Sequence, residues 1–182
     1  LLSAAAWSAG FGLYAVRYWP VLTRARVDGK PGNPELRDLL DNQMFDLGDD
    51  MVKTAGVGEH IVDWPLEGAV PLGDEYYQSV RLLAQRGWQL MEHSFNEPNH
   101  ATRADVWERV SREFPITNLR WSIDHVNTIE PKTLNRMKAL GVGVRAHGWR
   151  FLAGTPGQAG PPYRMLLDSG IPVGTGMDGA QA

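Results

Sequence analysis

Three times along this chain a helix-forming stretch ends at a glycine and gives way at once to a short apolar run that stops on a metal-binding or proton-handling side chain. Gly87 precedes Trp88-Gln89-Leu90-Met91 and then Glu92-His93. Gly141 precedes Val142-Gly143-Val144 and then Arg145-Ala146-His147, and Gly170 precedes Ile171 to Met177 and then Asp178. A fourth apolar run, from Leu119 to Ile123, reaches Asp124-His125 without the glycine. Glycine closes helices because it enters the left-handed region without steric cost. Helices alternating with short apolar strands build parallel sheets, and the carboxyl ends of parallel strands are where such folds keep their chemistry. The pattern sets His93, His125, His147 and Asp178 on one rim and predicts a metal site there.

The helices between these strands carry a regular stripe. Tyr76, Tyr77, Val80, Leu83 and Ala84 share a face of a helix predicted over Asp74–Arg86, and Val106, Trp107, Val110 and Phe114 share one over residues 102–114. Pro131 suits the first turn of a third helix bearing Leu134, Met137 and Leu140, and a short fourth is expected over residues 162–168. The first third is less regular. Residues 1–13 read as a helix, 22–27 as a strand, 28–34 as a loop, 35–45 as a helix, 50–55 as a short strand, and 56–73 as a loop over the rim. Five or six βα units of this kind predict an α/β fold, a parallel (β/α)8 TIM-type barrel that is incomplete here, since a closed barrel takes about 250 residues.

Residues 1–182 are expected to form one partial barrel domain that lacks the first strands and the end of the barrel. The opening Leu1-Leu2-Ser3-Ala4-Ala5-Ala6-Trp7 has no initiating methionine and no basic leader, so a buried helix is the better reading than a signal peptide, and a piece of a longer protein is expected.

Charge and composition narrow the partners. A net charge of -3 and the lack of any lysine- or arginine-rich run argue against a nucleic-acid or membrane surface. A small-molecule substrate is the expected partner, and the oligomeric state is left open. With no cysteine, disulfides and thiolate zinc sites are excluded, so any metal must be held by histidine, carboxylate or modified lysine. A chain without cysteine suits a reducing cytoplasm.

A lone histidine at a strand end is more often a hydrogen-bonded structural residue than a ligand. Three at successive strand ends, with Asp178 at another, shift the balance toward a ligand set. His60 and His100 fall in predicted loops and carry no such pattern. Asn96 and Glu97 follow His93 within reach of a substrate, although a polar loop is their default. Trp64 and Trp149 fall in rim loops where they could line a pocket. The glycine-rich stretch Gly154 to Gly160 lacks the lysine of a phosphate loop.

Strand ends bearing Lys53, His93, His125 and Asp178 in that order resemble the amidohydrolase superfamily of metal-dependent hydrolases. Arg86 to His93 is similar to the family's fifth strand, Leu119 to His125 to its sixth, and Gly174-Thr175-Gly176-Met177-Asp178 to its eighth. The likeness runs from about Asp50 to the end and is nearest to the amidohydrolase family 3 branch. It implies His93 and His125 as metal ligands and Asp178 as both ligand and proton shuttle. It also implies one or two divalent ions, zinc first, and Lys53 as a residue whose carbamate bridges two of them. An ammonium repels a cation, whereas its carbamate is an oxygen ligand. The alternative for Lys53 is an ion pair with a nearby carboxylate such as Asp49 or Asp50.

The resemblance has departures. Ser94-Phe95-Asn96-Glu97 follows His93 where the branch has Ala-Ile-Gly-Asp, Asp124 stands for a glutamate, and Gly179 stands for an alanine. The first-strand His-x-His pair is absent from the sequence. The expected activity is hydrolysis of an amide or other C–N bond by metal-activated water, with His147, Asp124 or Arg145 set against the developing oxyanion and Trp149 against the substrate. Two rivals stand beside it: a barrel with a binding or regulatory role and no catalysis, and a lyase or aldolase using Lys53 as a Schiff-base amine.

Overall fold

The structure, a computed structural model, describes residues 33–58, 61, 74–148 and 160–176, all within one compact unit, Gly32–Ala182. The elements in chain order are α1 (Asn33–Asn42), β1 (Gly56–Val57), α2 (Asp74–Arg86), β2 (Gln89–Ser94), α3 (Glu97–Glu113), β3 (Ser122–His125), α4 (Pro131–Ala139), β4 (Gly143–His147), α5 (Tyr163–Ser169) and β5 (Val173–Gly176). The five strands are parallel and lie side by side in sequence order, β1 to β5. A helix returns the chain between each successive pair from β2 onward, so the chain forms a consecutive arc of a (β/α) barrel, the fold class expected from the sequence.

The helix ends follow the glycines. Gly87, Gly141 and Gly170 have φ of 73°, 73° and 68°, the left-handed region that an L side chain enters at a cost. Gly141 faces the tightest constraint, because a Cβ there would lie 2.3 Å from the Thr117 carbonyl oxygen. Each helix therefore stops at its glycine and the chain drops straight into the next strand.

The core lies between the sheet and its covering helices. Leu90, Ile123, Val144 and Ala146 point to that side and are buried with Val80, Leu83, Trp107, Val110, Met137 and Leu166. Alternation along each strand sends the other set of side chains to the opposite, barrel-interior face. There Met91 and His93 stand in register with Ser122 and Asp124, and those with Gly143 and Arg145. Among the described residues no helix is long and apolar enough to cross a membrane.

Four expectations need correction. Residues 50–55 do not form a strand of the sheet. Gly48 and Lys53 pair as an antiparallel bridge in a tight hairpin, and the parallel strand begins later, at Gly56. Helix α3 starts at Glu97 rather than Thr102, with Pro98 in its first turn, so Glu97 and His100 are helical rather than loop residues. The sequence stripe missed this first turn because its inward residues, Asn99 and His100, are polar yet buried. The fourth apolar run forms a strand only from Ser122, and the first helix ends at Asn42 rather than Phe45. The helix and strand expected over residues 1–13 and 22–27 lie outside the described residues, as does most of the loop expected over 56–73.

Candidate functional site

The carboxyl ends of β2, β3 and β4 bring three histidines into one cluster. His93 Nδ1 lies 2.9 Å from His125 Nε2, and His125 Nδ1 lies 3.0 Å from His147 Nδ1. The first two rings are 3.8 Å apart between centroids and the second two 4.3 Å. His125 and His147 are buried and His93 is half-buried.

Strand alternation alone would not make this cluster. His93 and Asp124 are register partners and share the interior face, so His125, the next residue, belongs to the other face. His125 instead has φ of 74° and Val126 φ of 48°, two consecutive non-glycine residues in the left-handed region. That turn ends β3 and swings the His125 ring into the gap between His93 and His147. Such conformations cost about 1–3 kcal/mol each and collect at functional sites. Phe95 supports the turn from the side, its ring 4.6 Å from His125 and 4.7 Å edge-on to His93.

On the interior face, level with His93, Arg145 Nε donates to Asp124 at 2.9 Å and to Ser122 Oγ at 3.2 Å. Burial pushes the Asp124 carboxyl above its usual range, and Arg145 pulls the other way. The β5 residues beside this group are small. Gly174 pairs with Arg145 and Gly176 with His147, both glycines exposed, and a Cβ at Gly176 would press within 3.4 Å of the His147 ring.

Behind the sheet, on the helix side, Glu92 and Arg103 form a fully buried ion pair at 3.2 Å. Arg103 also donates to the main-chain carbonyls of Asn99 and His93, fixing the strand where it delivers His93. Burial lifts the Glu92 carboxyl to about 7 despite Arg103. The same burial, followed by the Glu92 charge, raises the Tyr76 phenol well above its ordinary value. The sequence did carry a sign of Arg103: it lies three and four residues before Val106 and Trp107, within the buried stripe, where an arginine needs a buried carboxylate.

Of the residues expected at the site, the structure brings together His93, His125 and His147, with Asp124 and Arg145 in register with His93. It does not bring Lys53 to this rim. Lys53 lies three residues before Gly56, which is in register with Gln89 at the start of β2, so it sits toward the amino end of the sheet. It pairs with Asp46 at 3.2 Å on the exposed hairpin, the carboxylate pairing that was its alternative role, with a different partner. Asp178 and Trp149 lie outside the described residues, as do His60 and Trp64. The Glu97 carboxylate accepts from the Glu130 amide and the Thr133 hydroxyl at the start of α4. Among the described residues, no group of three histidine, aspartate or glutamate side chains is disposed to hold one ion.

Residues 12–182 match the model of an amidohydrolase family. A solved structure, a triazine hydrolase from Arthobacter aurescens, is similar in fold, with a TM-score of 0.51 at 21% sequence identity. The likeness covers 81% of this chain and 31% of that one, so the chain spans about a third of the length of the hydrolase it resembles. No curated protein matches the chain.

Proposed function

The chain belongs to the amidohydrolase family, and we propose that in the full-length protein it supplies part of a hydrolytic site that cleaves an amide or other C–N bond of a small molecule. The observation that carries this reading is the 2.9 Å approach of His93 Nδ1 and His125 Nε2 at adjacent strand ends. Zinc–nitrogen bonds are about 2.0–2.1 Å long, so two imidazole nitrogens this close can share one ion, and the borderline-soft imidazoles make zinc the first choice. His125 has its second nitrogen against His147, in the way a metal-ligating histidine is oriented by a partner on its far side. His93 and His125 would hold the cation, and Asp178 would complete the ligand set with residues outside the described ones.

When bound, such an ion polarises a carbonyl and brings the pKa of water near neutrality. The protein's own groups do the rest. Asp178 takes the proton of the attacking water and returns it to the departing nitrogen. His147 and Arg145 face the same side of the sheet and supply donors to the carbonyl oxygen as charge builds on it, an effect worth about 3–4 kcal/mol for one well-placed donor. Lys53, paired on its hairpin, is given neither a bridging nor a Schiff-base role.

Metal analysis of the purified full-length protein, together with amine or ammonia release from simple amides, tests this reading. Stoichiometric zinc or another divalent ion with amide turnover is the expected result. Protein that is metal-free as purified and inert after zinc is added favours the binding or regulatory role, which the mutual contacts of the three histidines also accommodate.

A further inference from the structure

The left-handed turn at His125 and Val126 is held at both ends by one short stretch of chain, the end of β2 and the first turn of α3. Two consecutive non-glycine residues at φ of 74° and 48° store strain, and such a turn persists only where its surroundings over-determine it. On the amino side, the Val126 amide donates to the Ser94 carbonyl at 3.0 Å and the Asn127 amide to the Phe95 carbonyl at 2.7 Å. Ser94 is itself fixed from α3, its hydroxyl 2.6 Å from His100 Nδ1.

On the carboxyl side the chain passes through residues 126–129 and reaches Glu130, which precedes α4. Helix α4 has no cap from its own sequence: the Glu130 side chain makes no capping bond, and Pro131 carries no N–H. Glu97, the first residue of α3, supplies the cap from across the fold. Its Oε2 accepts the Glu130 N–H at 2.6 Å, and its Oε1 accepts the hydroxyl of Thr133, a buried residue of α4. A carboxylate is favoured there because the N-terminus of a helix carries partial positive charge.

We propose that Glu97 is a positioning residue for His125: by tying the far end of the loop to α3, it keeps the imidazole between His93 and His147. The proposal rests on the reading of His125 as a metal ligand and names what sets that ligand's geometry. With the loop pinned at one end only, the left-handed pair relaxes toward an extended path, and strand alternation then carries His125 to the helix side of the sheet. Glu97 touches neither ion nor substrate in this role, and its charge is dispensable. A glutamine in its place accepts from the Glu130 amide through its carbonyl and donates to the Thr133 hydroxyl through its nitrogen.

Amide hydrogen exchange and zinc titration of the full-length protein test this together. In Glu97→Ala the amides of Val126 and Asn127 should exchange about tenfold faster or more, while those of β4 keep their rate. Zinc should bind that variant about 10–100-fold more weakly, the usual result when a ligand loses its orientation. Glu97→Gln should stay within about threefold of the wild type in both measurements. A carboxylate that bound metal or carried a proton would be lost in the glutamine variant as fully as in the alanine one, so equal damage in the two overturns the proposal. Unchanged exchange at Val126 and Asn127, equal acceleration in β4, or undiminished zinc affinity in Glu97→Ala overturns it as well. A wild type that binds no zinc counts against the metal reading alone, and the exchange comparison then decides whether Glu97 holds the His125 turn.

Discussion

Arg103 donates a hydrogen bond to the main-chain carbonyl of His93, from a side chain that is only 1% exposed. The same guanidinium pairs with Glu92, the residue before His93. The backbone that presents a candidate ligand is thus held from behind by a charge in the core. Removing one partner of a buried pair strands the other, at a cost of about 3–5 kcal/mol, whereas replacing both by apolar groups is often close to neutral. Urea denaturation of Arg103→Met should show a loss in that range, and the Arg103→Met, Glu92→Leu double variant should recover most of it. A single-variant loss below about 1 kcal/mol would mean that the pair is not the buried support described here.

The histidine cluster separates two roles. His93→Ala and His125→Ala should each abolish divalent metal binding and amide hydrolysis in the full-length protein. His147→Ala should weaken metal affinity about 10–100-fold, the usual effect of losing the partner that orients a ligand. Elemental analysis and dialysis against graded chelator would rank the three, and a His93→Ala protein with full metal content contradicts the assignment.

His100 makes stability depend on acid. It is buried, its Nδ1 lies 2.6 Å from Ser94 Oγ, and burial followed by the charge of Arg103 lowers its pKa from 6.5 to about 3. The folded protein keeps it neutral down to about pH 3, whereas the unfolded chain takes up the proton near 6.5. The unfolded state therefore binds more protons as pH falls. This contribution is fully present above pH 6.5 and declines between 6.5 and about 3, by up to about 1.4 kcal/mol per unit. His100→Gln, which keeps an acceptor for Ser94, should flatten the stability curve in that window, as measured by urea midpoints at successive pH values.

The glycine stops differ in what surrounds them. Gly87 and Gly141 share φ of 73°, but a Cβ on Gly87 meets nothing within 4 Å, whereas one on Gly141 strikes the Thr117 carbonyl. Gly87→Ala should cost only the left-handed strain, about 1–2 kcal/mol. Gly141→Ala should cost clearly more, because backbone must shift to relieve the contact. Thermal melts of the two variants compare them directly, and equal losses would show that the Thr117 approach relaxes freely.

Much of the fold was legible because its determinants are local. The stripe of Tyr76, Val80 and Leu83 and the stop at Gly87 predict α2 to the residue. Pro131 marks the start of α4, and Gly170 ends α5. Helix α3 was underestimated because a turn rich in buried polar residues shows no hydrophobic period, and the burial of Arg103 depends on Glu92 from a neighbouring strand. Lys53 was misplaced because a short apolar run does not distinguish a parallel strand from one arm of a hairpin. That choice falls to register, which Gly56 and Gln89 set across the sheet.

Sequence alone determined the alternation of helix and strand from Asp74 onward and the glycines at which α2, α4 and α5 stop. Those properties follow from φ preferences and hydrophobic spacing within a few residues. Only the tertiary structure decided which of the chemically capable side chains meet. His125 joins His93 and His147 through a left-handed turn that alternation does not foretell, and Lys53 falls on a hairpin before β1, paired with Asp46. Arg145 is fixed by Asp124 and Ser122, a strand away. The histidine cluster and the Arg145 pairing depend on partners distant in sequence, whose positions exist only once the sheet has formed.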